Sequence, residues 1–330
     1  MGIGLSLVLL TGLAGCSDPP PPVGPTPAPA ATPVRLEPWP QAGPSARRLT
    51  TDHYVIYTTL GPSMLREGIG GFLEAARANY VYLTALEPAA RAGGATPRRL
   101  VIYLFANRDE WANLTEQITG PASATYLKVQ RGGYCFTGTC VFWDIGLIPT
   151  YSVASHEGMH QFLYHAVRDA LPVWAEEGMA VLCEGYVLRD GLVHFDATQN
   201  LSRMTTLRQS ILQDRWRPVD RLIAMSAADN VHENALFGAD YYSQLWALML
   251  LIRQDERYAA GLARLLGDAA DGQLGAALGM NPQAWNQLQH NGQAYTGVIG
   301  PRAFTQYIEP DLPAFEARYR AFAEEMTHLK

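Results

Sequence analysis

Two histidines four residues apart with a glutamate between them, His156-Glu157-Gly158-Met159-His160, are the part of this sequence best suited to chemistry. On an α-helix a four-residue step brings both imidazoles to one face about one turn apart, as a tetrahedral cation with Zn–N bonds of ~2.0–2.1 Å requires. Glu157 lies beside them, within reach of a water held by the same cation. With 8 histidines in 330 residues the pattern arises by chance in roughly one such chain in a hundred, so its meaning depends on a third ligand. A catalytic zinc usually keeps three protein ligands and one open position. A histidine six residues past His160 is excluded because Ala166 stands there, and His165, His194 and His232 lack ligand spacing. The acidic candidates are Glu176 and Glu177 in Leu171-Pro172-Val173-Trp174-Ala175-Glu176-Glu177-Gly178, where a proline punctuates the start of a second helix.

Zinc at such a site lowers the pKa of its water toward ~7 and polarises a carbonyl, so no activated serine or cysteine is needed. Glu157 is then the general base, taking the water proton and handing it to the leaving amine. Glu184, seven residues past Glu177 and two turns along the same predicted helix face, is placed either to hydrogen-bond a ligand histidine or to face solvent.

The HExxH motif followed by a proline, tryptophan and glutamate-glycine helix resembles the gluzincin metallopeptidases, and most closely the peptidase MA-like group of exported bacterial proteins. The resemblance runs from about residue 50 onward: a strand, a long helix, a strand, a further hairpin, then the two motif helices. It implies one Zn²⁺ held by His156, His160 and Glu177, the residue before Gly178, with Glu176 turned about 100° away. Tyr242-Ser243-Gln244-Leu245-Trp246-Ala247-Leu248 is similar to a family segment in which a tyrosine begins a helix near the site. Tyr242 is accordingly the candidate donor to an oxyanion, with Tyr241 the alternative and a core aromatic role open for either. By analogy Gly133 to Trp143 is the edge strand that pairs with a peptide or protein substrate. The glycine, methionine, glutamate, asparagine motif of aminopeptidases is absent, which favours endopeptidase action. The rival expectations are a lipid-anchored binding protein or pseudo-peptidase on the same fold, and a zinc amidase acting on the cell wall.

The elements that must position these residues are legible as an α+β arrangement, a small sheet with a helix followed by a mainly helical lobe. Tyr54–Thr59 and Leu100–Phe105 read as strands, Tyr126–Val129 and Tyr134–Trp143 as further strand candidates, and Met64–Leu86 as a helix through Leu65, Ile69, Phe72, Ala76, Tyr80 and Leu83. Helices are expected over 152–170, 173–188, 203–213, 241–253, 257–266, 282–290 and 312–327.

The N-terminus suggests where such a site would work. An apolar run from Ile3 to Leu10 is too short to span a bilayer and reads as an export signal over residues 1–16. Leu13-Ala14-Gly15-Cys16 resembles the lipobox of bacterial lipoproteins, which implies lipidation at Cys16 and a membrane-anchored, exported protein, with Ser17 resembling an outer-membrane sorting signal. Half of the 22 prolines fall between Ser17 and Pro44, so residues 17–48 read as a polyproline spacer, with 49–150 the sheet-bearing lobe and 151–330 the helical one. In an oxidising compartment Cys135 and Cys140, flanking a turn-prone tetrapeptide, are expected to form a local disulfide, and Cys183 to be a buried core thiol. A net charge of −6 offers no field for a phosphate backbone, which argues against nucleic acid as a partner.

Overall fold

The structure, a computed structural model, describes residues 28–29, 34–88, 99–129, 132–225, 235–289 and 292–329. The signal segment with Cys16 and Ser17, most of the proline-rich stretch and His232 lie outside them. Among the described residues the short strands are, in chain order, β1 Ala28–Pro29, β2 Arg35–Pro38, β3 Arg47–Thr50, β4 Tyr54–Thr58, β5 Leu100–Phe105, β6 Gly133–Phe136, β7 Thr139–Trp143, β8 Tyr186–Arg189 and β9 Leu192–Phe195. The six-stranded sheet has the order β2-β3-β4-β5-β7-β6, with β4, β5 and β7 mutually parallel at its centre and antiparallel neighbours outside them. The end of the stretch read as spacer therefore already contributes strands at 35–38 and 47–48 to the folded sheet.

In β4 the residues Tyr54, Ile56 and Thr58 are buried while Val55 and Tyr57 are half-buried, the period-2 pattern of a sheet with one face against a core. That core is supplied by helix α1, Met64–Thr84. Ser63 caps it through the Arg66 N–H, and its buried face is Leu65, Ile69, Phe72, Leu73, Ala76 and Tyr80. On the opposite face α2, Arg108–Thr119, packs Trp111 against Tyr134 and Trp143. The expected strand at Tyr126–Val129 is instead the end of a helical turn, α3 Ser123–Tyr126. Its backbone is satisfied locally by Leu127 N–H to Ser123 C=O and Val129 N–H to Tyr126 C=O, leaving nothing for a ladder.

The helices that follow are α4 Leu147–Ala166, α5 Val173–Leu182, α6 Leu201–Leu212, α7 Val219–Leu222, α8 Ala235–Gln254, α9 Glu256–Asp271, α10 Leu274–Ala277, α11 Pro282–Gln289, α12 Gly292–Tyr307 and α13 Leu312–Met326. The architecture is thus mixed α and β, a small N-terminal sheet followed by helices. The expected helix over 173–188 stops at Leu182. Tyr186–Arg189 and Leu192–Phe195 form a hairpin reversed at Asp190-Gly191, both with positive φ (54° and 73°), the two-residue turn that Asp-Gly favours. Helix α12 was unexpected because glycines and Pro301 punctuate its sequence. The same small residues let it pack closely: a Cβ on Gly300 would stand 2.1 Å from the Ile223 carbonyl oxygen, and Trp174 Nε1 donates to the Gly300 carbonyl at 3.0 Å.

Candidate metal centre

Helix α4 buries Ala154, Ser155, Gly158, Met159 and Phe162, which leaves His156, Glu157 and His160 on its half-exposed side. Glycine at the third motif position is a packing requirement: a Cβ there would lie 2.4 Å from the Tyr80 hydroxyl, which donates to the Ser155 carbonyl. Gly178 likewise leaves room on α5, where a Cβ would meet the flexible Met249 methyl of α8 at 2.7 Å. The first close approach seats α1 on the motif helix and the second seats α8 on α5.

Three ligand-type atoms converge. His156 Nε2 and His160 Nε2 are 3.3 Å apart, and Glu177 Oε2 lies 3.5 and 3.6 Å from them. Ligands at ~2.0–2.1 Å from a tetrahedral cation stand about 3.3–3.4 Å from one another, so the triangle has the dimensions of one face of such a site. Glu177 Oε2 is buried without a hydrogen-bond donor. A buried carboxylate oxygen is ordinarily satisfied, and a cation among the three atoms is the partner its position fits. Two imidazoles and one carboxylate, with side chains only 12–15% exposed, are a donor set suited to catalytic zinc.

The rear nitrogen of each imidazole is held by its own carboxylate. His156 Nδ1 is 3.0 Å from Glu184 Oε1, and His160 Nδ1 is 3.0 Å from Glu176 Oε1. This assigns the proton to Nδ1 and turns Nε2 forward. Glu176 therefore stands behind one imidazole of the triangle while Glu177 forms its third corner. Glu184 reaches His156 from the turn beyond the end of α5 and not along a helix face, a correction to the spacing argument. Its oxygens also accept from Arg203 Nε (2.8 Å), Arg203 Nη2 (2.7 Å) and Asn200 Nδ2 (3.0 Å). Asn200 caps α6 through the Arg203 N–H. Arg203 and Asn200 were not anticipated; the only local signal was an Asn at a helix start.

The Arg203 guanidinium also covers the Tyr242 ring at 5.2 Å, and that ring stands edge-on to His156 with centroids 6.0 Å apart. Tyr241 is fully buried and turned toward the Met225 carbonyl. Of the two tyrosines, Tyr242 is the one at the site.

Burial raises the carboxyl of Glu157 above its ordinary value, and His156 and His160 offset only part of that. Burial would also raise Glu177, but His160 and His156 hold it well below the usual carboxylate range. Glu184 is likewise brought down to about 2 by Arg203 and His156 against the effect of burial. Burial disfavours charge on His156, yet the neighbouring carboxylates of Glu177 and Glu184 lift it to about 9, and Glu177 lifts His160 well above its ordinary value. A cation placed there would therefore compete with protons for the same Nε2 atoms.

Cys135 and Cys140 are direct cross-strand partners on β6 and β7, as the turn between them suggested. Both are free thiols in this structure, and Cys140 Sγ lies 3.2 Å from the Glu157 carbonyl oxygen. Cys183 is buried as expected. His165 lies 3.4 Å from the Gly138 carbonyl oxygen and His194 is on β9, so neither joins the triad.

The chain matches no family model and no curated protein. Among the described residues no helix is long and apolar enough to cross a membrane.

Proposed function

We propose that the chain is a zinc-dependent hydrolase of the gluzincin kind, acting on peptide bonds as an endopeptidase. The observation that carries this reading is the triangle of His156 Nε2, His160 Nε2 and the unpartnered Glu177 Oε2, with Glu157 on the adjacent helical position. Zinc held by these three residues would polarise a substrate carbonyl and acidify a water. Glu157 takes the proton of the attacking water and delivers it to the leaving amine, a task suited to a carboxyl whose proton affinity burial has raised. The Tyr242 hydroxyl donates to the oxyanion as it forms. Glu184 and Glu176 keep the imidazoles aimed. Support for the family reading comes from the order of strand, long helix, strand, hairpin and the two motif helices, with α2 and α3 inserted before the hairpin. The edge position of β6 is where a peptide strand would add. The N-terminal sequence adds the proposal that the site works outside the cytoplasm, tethered by lipid at Cys16.

The test is metal analysis and peptide-library cleavage by the purified protein and its Glu157→Gln variant. Stoichiometric zinc in both, with cleavage by the parent alone, is expected. Zinc with equal background cleavage in both would reduce the chain to a metal-binding scaffold, and its absence from protein purified without chelator would overturn both parts. Including cell-wall cross-links among the substrates separates a peptidase from an amidase.

A further inference from the structure

The hairpin beside the motif helix carries chemistry that the hydrolase reading does not use. Thr137 and Gly138 have φ of 45° and 75°, a two-residue turn of the kind that matches strand twist, and Phe136 and Thr139 close it. The next pair, Cys135 and Cys140, is then the non-hydrogen-bonded kind, whose Cα atoms stand about 4.5 Å apart. That lies within the ~4.4–6.8 Å range a disulfide spans, so closure requires side-chain rotation and no backbone rearrangement. Both thiols face α4. Cys140 is fully buried with Sγ 3.2 Å from the Glu157 carbonyl oxygen, whereas Cys135 is half-buried on the outermost strand of the sheet. The Cys135 N–H, which this register turns away from β7, lies beside the Glu157 carboxylate. The two cysteines thus flank the same glutamate.

We propose that Cys135 and Cys140 are a redox-modification site, closed by thiol–disulfide exchange into a cross-strand bridge that holds the edge strand beside Glu157. The Cys135 thiolate, the accessible one, attacks a sulfur of an external disulfide such as glutathione disulfide and releases one thiol. Cys140, losing its proton, then attacks Cys135 Sγ and expels the second thiol. Two protein thiols become one disulfide, and the external disulfide takes up the two electrons and two protons. Cys183 takes no part: it is fully buried and donates to the Met179 carbonyl at 3.4 Å. The bridge pins Cys135 and removes the Cys140 S–H from the Glu157 carbonyl, so its formation is felt at the site. The bridge itself stands whether or not the chain hydrolyses anything; its effect on turnover rests on the hydrolase reading.

The experiment equilibrates the zinc-loaded full-length chain with reduced or oxidised glutathione and maps the cysteines by peptide mass. A Cys135–Cys140 disulfide in the oxidised sample, Cys183 unmodified and a glutathione adduct on Cys135 in Cys140→Ser are expected. The oxidised form should melt roughly 4 °C higher than the reduced form. It should also turn over roughly two- to tenfold faster, because small misplacements of a catalytic group are costly. The Cys135→Ala, Cys140→Ala protein should show neither difference; if it does not fold, the comparison of the two wild-type states decides alone. Unreacted thiols under excess oxidised glutathione, or an adduct on Cys183 instead, would overturn the site. A bridge without a change in melting overturns the clamping of the strand. A melting shift with unchanged turnover overturns the link to Glu157. If neither state cleaves any peptide while the bridge forms, the hydrolase reading fails and the modification site stands.

Discussion

Glu184 Oε1 lies 3.0 Å from His156 Nδ1, although Glu184 sits two residues beyond the end of α5 and is separated from the histidine by 28 positions in the chain. The carboxylate is itself gripped by Arg203 and Asn200 of the next segment, so it aims the imidazole as part of a network. Removing it with Glu184→Ala should weaken zinc binding about 10- to 100-fold. Competition with a coloured chelator measures this; an affinity within twofold of the parent would show that the contact does not hold the ligand.

The adjacent glutamates should behave differently. Glu177→Gln is expected to lose stoichiometric zinc, because its oxygen completes the triangle. Glu176→Gln should keep zinc with a lower affinity, since it acts only through His160 Nδ1. Metal content of the two variants, side by side, decides which is the ligand; the reverse pattern would exchange their roles.

The tyrosines offer a similar contrast. Tyr242→Phe should lower kcat about 100-fold with KM little changed, the signature of a donor used in the transition state. Tyr241→Phe, in the core, should leave kcat intact and at most lower the melting temperature. Comparable rates for both variants would remove Tyr242 from the mechanism.

Stability should depend on pH in two windows. His156 rises from its ordinary 6.5 to about 9 in the folded protein, so in chelator-treated protein its contribution is fully present below 6.5 and is lost as pH climbs through about 9. Glu184 falls from 4.5 to about 2, so its contribution is present above 4.5 and disappears as pH drops toward 2. Each is on the order of 3 kcal/mol at most. Urea unfolding across both windows, with and without zinc, measures them. Zinc-saturated protein should hold nearly constant stability from pH 6.5 to 9 where chelated protein loses it, because zinc already keeps its His156 unprotonated, and parallel curves would show that protons and zinc do not share His156.

Much of the fold was readable where a pattern is local. The capped, periodic face of α1 and the alternation of Tyr54, Ile56 and Thr58 report burial directly. The misreadings occurred where non-local packing or short-range turn chemistry outweighed a weak signal. Three apolar residues and a lysine at Tyr126–Val129 suit strand or turn equally, and the run after Glu177 looked helical until Asp190-Gly191 reversed it. In α12 close helix contacts at Gly300 prevail over the usual reluctance of glycine and proline to be helical.

The candidate site divides along the same line. The sequence alone placed His156, Glu157 and His160 on one helical face, because 100° per residue follows from hydrogen bonds within a few residues. Only the tertiary structure decided that Glu177 closes the triangle, that Glu176 and Glu184 stand behind the two imidazoles, and that Tyr242, not Tyr241, faces them under Arg203. Those contacts span up to 86 positions. They depend on the packing of α5 against α4 and of α8 against α5 and on a hairpin that turns the chain back, relations that no periodicity within one segment encodes.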